Sequence, residues 1–590
     1  VAAALGTAVD AVDRALRALA QRDLVQEQTT STMADEPEFR FRHVLVSDVC
    51  YERLPRAERV ARHVRTADWL DAHVDSRGSD LAEVIAHHRY TAYETTRALG
   101  HDTRPFGRPA VAALRHAAQR AVMLNAEDAA AALVARADSL ITNTRTDADG
   151  DADRYGIELL GLELSFHHAA PEFLDGAGPA RIGELATLLY RAGDHGGAAR
   201  AWTLLGQASW RRADRPGALR CLDRAVELFD SWPDTPEKAQ TYAELGRLHM
   251  LNFEHAPAMG ATAIAVEIAE RLGLTELRAS AQITLGMCRF QAGEPGALVE
   301  LEEVLTFCRA NHLPSLRRAT VTVAQALREE GDRARAEELL AEVGDGLAAV
   351  TLLPPASDEA IPPGPSYDAR LALATGDWDS FLAVADARLA EPAPADPQLR
   401  AVRAWLRALR GDAEGAAADV EQAVATARGT GFWRLTWAAL AHGALAHALL
   451  HDLGRGEALL AELRDSWRRM RTIAGGDWIA AAGHAVTRLG PEAALPLRDA
   501  LAETPHHTAW TRAALASING ALATGQRDHR AAATCHLDAA DRYAVMGSAT
   551  DRAFAIAAAG AALAAAGDPR ADTVLRDARE FAARNRVRAA

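Results

Sequence analysis

The sequence predicts an all-α chain: a superhelix of stacked helical hairpins behind a small mixed α+β module at the N-terminus. Three observations carry this expectation. From about residue 180 onward, apolar helical segments end at a glycine followed by an acidic residue or a close variant. The sites are Gly193-Asp194, Gly293-Glu294, Gly331-Asp332, Gly376-Asp377, Gly411-Asp412, Gly490-Pro491, Gly525-Gln526 and Gly567-Asp568. Their intervals are mostly 35 to 45 residues, the range of helix-pair solenoids. The first 75 residues break the pattern, with segments alternating at a strand's period of two.

Glycine takes the left-handed conformation that stops a helix, and the acidic side chain after it caps the next one. Leu205-Gly206, Leu245-Gly246 and Leu285-Gly286 recur at a spacing of 40 residues. Twelve residues after the first two glycines come Ala218 and Ala258, and seven further on come Ala225 and Ala265. Small residues in those slots let paired helices approach closely. The third unit departs, with Leu298 and Leu305 in the same places and Ala297 one step early. This pattern resembles the tetratricopeptide repeat in a degenerate and lengthened form, and it recurs over some 400 residues.

Breaks in the pattern give the expected boundaries. Residues 1–75 form a winged-helix-like arm, 76–145 a helical connector and 146–155 an acidic linker. Residues 156–350 form a first tetratricopeptide-like stack. Residues 351–366 form a proline-rich link, since proline removes donors and clashes with the preceding turn. Residues 367–590 form a second stack. Within the arm, Val9 to Leu19 has helical spacing, Asp23 to Gln28 and Glu38 to His43 read as strands, and helices run through Asp48, Tyr51 and Leu54 and from Arg59 to Leu70.

The segment Phe39 to Tyr51, with Leu54, Ala57-Glu58-Arg59, His63, Ala67 to Leu70 and Leu81 to His88, resembles the region just after the ATPase module of bacterial AAA/STAND signal-transduction ATPases. The nearest class is the actinobacterial one that joins an adenylate/guanylate cyclase, an ATPase and C-terminal repeats. The resemblance implies an arm that transmits state to an upstream ATPase domain, and a repeat array that senses a partner. Val1 to Leu5 reads like the middle of a helix, as in a fragment of a longer protein. The charged helix from Asp577 to Ala590 favours the cyclase arrangement. The alternative is the effector region of a LuxR-type transcription regulator whose DNA-binding domain lies outside this sequence.

Composition excludes several classes. The formal charge of -15 argues against general nucleic-acid affinity, and Arg40, Arg42, Arg53, Arg56, Arg59, Arg62 and Arg65 are interleaved with Asp48, Glu52 and Glu58. No apolar run is long enough for a bilayer. Five scattered cysteines, Cys50, Cys221, Cys288, Cys308 and Cys535, without a Cys-x-x-Cys pair point to reduced, cytoplasmic thiols and no zinc ribbon. The pairs His87-His88, His167-His168 and His506-His507 lack the i, i+4 spacing of helical metal ligands. Asp147, Asp149, Asp151, Asp153 and Glu158 sit at the positions of a calcium loop, but Ala152 stands where that loop needs glycine, so a solvated linker is expected. No hydrolase nucleophile elbow or zinc-binding His-Glu-x-x-His helix is present. The chain is therefore expected to be non-catalytic, with no cofactor and no metal.

The expected activity is binding of a protein or peptide in the repeat groove. Arg200, Gln207 and Arg211 share one helical face, with Trp210 beside them, and in the next repeat Arg247 takes the slot of Gln207. Arginine forks suit carboxylates.

A phosphate-binding loop needs a lysine after a glycine-rich turn. Lys238 is the only lysine among the 65 basic residues, and it follows Thr235-Pro236-Glu237. Calorimetric titration of MgATP into this chain should therefore give no saturable heat; a micromolar binding isotherm would overturn that expectation.

Overall fold

The computed structural model describes residues 1–28, 37–72, 81–124, 126–143, 151–168, 170–212, 214–229, 232–341, 367–390, 396–473 and 476–588. Among these residues the chain forms thirty helices and one two-stranded ribbon. It divides into two compact units, Val1–His168 with Ala180–Ala201, and Ala169–Pro179 with Trp202–Ala590.

The first unit opens with helices Ala2–Leu5 and Val9–Ala20. Strands Val25–Glu27 and Phe39–Phe41 then pair antiparallel, with Gln26 opposite Arg40. Helices Val44–Glu52 and Arg56–Ala72 follow, and Leu54 falls in the turn between them. The arginines of this region meet local partners. Arg42 pairs with Asp23 at 2.8 Å, Arg62 with Glu58, and Arg59 donates to the Leu54 carbonyl at 2.9 Å. Four longer helices, Ala82–Ala98, Arg104–Met123, Glu127–Asn143 and Asp151–His168, bury Tyr93, Leu114, Leu140 and Leu160 in one core. Of the expected linker 146–155, residues 151–155 are the first turn of a helix, where aspartates are favoured by the helix dipole. The residues before Asp151, with Asp147 and Asp149, lie outside the described ones. Asp153 and Glu158 are engaged within the unit, by Arg115 and Arg181.

In the second unit the punctuation does its expected work. Gly293, Gly331, Gly376, Gly411, Gly490 and Gly567 all take positive φ, as Gly193 does in the first unit. Gly525 instead ends a helix in ordinary geometry, and Arg527 takes the left-handed position two residues later. Asp194, Asp214, Asp332, Asp377, Asp412, Asp452 and Asp528 each accept the backbone N–H three residues on, which caps the following helix. Paired helices approach closely at the Leu-Gly positions. A side chain at Gly246 would come 3.1 Å from the Ala258 carbonyl and collide with Thr262, so only glycine fits there.

The first helix of each pair packs on the first helix of the next: Pro236–Leu251, Thr275–Gln291 and Leu316–Glu330 form one such row. Pro397–Arg410, Trp433–Leu449, Gly476–Leu489 and Ala509–Gly525 form another. This is the helix-pair stacking that a tetratricopeptide-like array requires.

The two rows also touch each other, in a fixed register. Trp433 N–H donates to the Asn252 side chain at 2.9 Å, and Ile473 N–H to the Gln291 carbonyl at 2.9 Å. Trp510 Nε1 donates to the Arg328 carbonyl at 3.0 Å, Thr550 donates to the Leu373 carbonyl, and Arg588 N–H donates to the Leu409 carbonyl at 2.8 Å. These contacts join residues 177 to 182 positions apart. The end of one inward helix thus meets the start of the inward helix five pairs later among the described residues. The unit coils, and its second turn rests on its first.

The second turn is filled at its centre. Every residue from Leu435 to Leu449 is buried. Trp405 packs on Phe554 at 5.7 Å and His484 stacks on Phe554 at 4.8 Å, linking the first, third and fifth inward helices of that turn. Asp419, 4% exposed, accepts two bonds from Arg403 and one from Arg407 at 2.7 to 2.9 Å. The groove expected along every first helix is therefore closed by the protein's own side chains in this turn.

The proline-rich link 351–366 lies outside the described residues. Because the helices before and after it pack together, a specific protease site inserted there and cut should leave two fragments that co-elute in gel filtration. Adding Phe253→Ala and Trp437→Ala removes a stacked pair 5.0 Å apart. Trp437 is buried and Phe253 partly so; at roughly 3–5 kcal/mol for the buried ring lost, this should let the fragments part. Separation of the unmutated fragments would show that the seam does not hold the turns together.

Candidate functional site

The five residues chosen from helical spacing have different fates. Arg200 belongs to the first unit, where its guanidinium clasps Glu163 at 2.8 and 3.0 Å. Arg211 is buried in the second unit but does not line the recess described next. Gln207, Trp210 and Arg247 do come together, around a shallow, open recess that encloses only about 20 Å³. Its lining is otherwise mostly apolar, from Gly206, Ala218, Leu222, Leu248 and Leu251, with Glu244 the remaining lining residue.

Two helices build this recess. His195–Arg211 presents Gln207 and Trp210 one turn apart, and Pro236–Leu251 presents Glu244, Arg247 and Leu251 at spacings of three and four. Gly206 and Gly246 bring each of these helices close to its partner. The Trp210 ring stands edge-on against Phe432 at 4.5 Å, and its indole N–H is buried without an acceptor among the described residues. Arg247 is only 6% exposed. Burial, reinforced by the nearby positive charge of Arg318, pushes its guanidinium well below the usual arginine range, while Glu244 opposes that shift. Arg318 is itself lowered by burial to about 10, and it donates to the Ser280 side chain at 2.7 Å and to Thr284. Sequence spacing found Gln207, Trp210 and Arg247; Glu244 and Arg318 were missed, because the contact that matters runs across neighbouring helices.

The histidine pairs are engaged in local contacts. His167 and His168 both face Glu127, His506 meets Glu330 at 2.7 Å, and His507 meets the Leu501 carbonyl at 3.1 Å. Among the described residues no group of three or more His, Cys, Asp or Glu side chains is placed to hold a metal ion. No helix among them is long and apolar enough to cross a membrane.

His88 belongs to a chain of rings: Tyr51 Oη lies 2.9 Å from His63 Nε2, and His63 Nδ1 lies 2.7 Å from His88 Nδ1. One tautomer set satisfies all three, with Tyr51 donating to His63 and His63 donating to His88.

No protein-family model matches the chain, and no curated protein does. Solved structures give distant likenesses. A Rap protein complexed with competence and sporulation factor shares 11% identity, with 80% of this chain and 99% of that one covered, at a TM-score of 0.30. A STAND protein with a tetratricopeptide repeat sensor from Pyrococcus horikoshii shares 14% identity at a TM-score of 0.34. There 76% of this chain is covered, and the match spans 57% of the other protein.

Burial, followed by the charges of His63 and His87, pushes His88 from 6.5 down to about 4. The unfolded imidazole takes a proton that the folded one refuses, so this contribution to stability is whole above pH 6.5 and is lost as pH falls toward 4. His255 and His536, also lowered to about 4, act in the same direction. The urea midpoint should therefore drop between pH 7 and pH 4.5, and drop less in His88→Asn. Parallel pH profiles for the two proteins would exclude the His88 contribution.

Proposed function

We propose that this chain is a non-catalytic sensor region, binding a protein or peptide partner through the first turn of its helix-pair array. One observation carries the reading: on the helices that face inward, the first turn keeps an apolar recess with a buried guanidinium at its edge. Apolar pockets with a few fixed polar groups are the usual form of a binding site. The second turn, which has the same helical plan, is filled.

The bound state would pass to an upstream ATPase domain of a larger signal-transduction protein, coupled in turn to a nucleotide cyclase. That step rests on the resemblance of Phe39 to His88 to the arm of such ATPases. The helix Val44–Glu52 of this region leaves Val44, Leu45 and Val49 more than half exposed, which fits a winged-helix-like arm that packs on an adjoining domain.

Selection from a random peptide library with free C-termini, displayed against the immobilised chain, tests the reading. The wild-type chain should enrich related sequences. Folded Leu248→Glu, which puts a charge in the recess wall, should lose them at least tenfold. A library that shows no enrichment on the wild-type chain would remove partner binding as the function.

A further inference from the structure

Seven described arginines keep a buried Nε–H that nothing accepts. Six of them, Arg62, Arg115, Arg215, Arg278, Arg400 and Arg410, set another guanidinium nitrogen against a carboxylate. Arg247 is the exception: among the described residues it makes neither an ion pair nor a hydrogen bond. Two charged groups, Glu244 and Arg318, act on it without bonding to it. Glu244 accepts from Gln240 at 3.2 Å, and Arg318 carries the same charge as Arg247 and is held by Ser280 and Thr284.

An ionised group buried without a partner is destabilising, as when half of a buried pair is removed. The ring of Arg403 and Arg407 around Asp419 avoids that cost. At Arg247 the missing partner is an acceptor, and the recess says what kind. Trp210, whose buried indole N–H is likewise unmatched among the described residues, lines the same space. The walls between are carbon from Leu222, Leu248 and Leu251. The lining also includes Glu244, which repels a dianion more than a monoanion.

We propose that this recess binds a carboxylate attached to an apolar group, with Arg247 and the Trp210 indole N–H donating to its oxygens. A peptide chain ending in an aliphatic residue carries that chemistry, and so does an acidic side chain beside an aliphatic one. The proposal rests on the partner-binding reading above and specifies what the site recognises. Arginine gives the carboxylate a charge-assisted bond, and the leucines take the hydrocarbon.

The test uses the whole chain and three short peptides: one ending in leucine with a free carboxylate, the same peptide amidated, and an amidated peptide with glutamate beside leucine. Calorimetry should detect the first or the third at least tenfold more tightly than the second, and whichever binds identifies the source of the carboxylate. Arg247→Met should abolish that difference. It should also raise the melting temperature of the unliganded chain by roughly 1–3 °C, because it removes an unpaired buried charge. Trp210→Phe keeps the ring against Phe432 and should weaken the acid roughly three- to tenfold. Equal affinity for acid and amide, or no binding of any of the three at millimolar concentration, overturns the proposal. So does a lower melting temperature in Arg247→Met, which would mark Arg247 as a structural partner. Peptides enriched from the library without any carboxylate preference would overturn this proposal alone and leave partner binding standing.

Discussion

A single helical hairpin has more apolar surface than its own interface can bury, so each pair must be covered by the next. Here the covering does not stop at the neighbour. The contacts 177 to 182 residues apart return the chain to itself every five pairs. The seam is built largely from backbone groups at helix ends, which would otherwise lack partners. Gln291 is an example: its carbonyl, free at the end of Thr275–Gln291, accepts from both Ile473 N–H and the Thr472 hydroxyl. The seam therefore stabilises the coil and satisfies helix termini with the same bonds.

Closure divides the interior into two chemistries. In the second turn the buried carboxylate of Asp419 is matched by Arg403 and Arg407, and aromatic rings such as Trp405 and Phe554 pack in the interior. A filled interior of this kind resists change, because a packed core has few alternative arrangements. The first turn keeps Arg247 in a setting that opposes its charge. Such a residue lowers stability unless something outside the fold compensates it, and natural proteins commonly keep destabilised groups where function needs them.

Much of this plan was legible in the sequence because it is local. Gly411 and Asp412 show it at one turn: the glycine takes φ 88°, and the aspartate caps the next helix through Gly415 N–H at 2.9 Å. Other helix ends were hidden, since Phe253, His312 and His451 take the left-handed conformation without being glycine. Periodicity placed Gln207, Trp210 and Arg247 on inward positions but could not separate them from Arg200, whose partner Glu163 lies 37 residues away. The slot after Leu-Gly holds Gln207, Arg247 and Met287 in successive repeats, a polar, a charged and an apolar side chain. Only packing shows that the charged one makes no ion pair or hydrogen bond among the described residues. The seam was illegible for the same reason, because no pattern in a 40-residue unit encodes a contact some 180 residues away.

Recess and seam meet at two side chains. Trp210 lines the recess on one face and packs its ring on Phe432, the residue that precedes the helix Trp433–Leu449 of the second turn. Leu251 does the same from the other wall, since the next residue, Asn252, accepts the Trp433 N–H. A ligand that repositions Trp210 or Leu251 therefore acts on the bonds that set the second turn on the first. The coupling has a definite size: it equals the difference in ligand affinity between the closed coil and one whose seam is loosened, and it is reciprocal. Loosening the seam must then change affinity at the recess by the factor with which the ligand changes the seam. The physical element that both would bias is the Trp210–Phe432 contact.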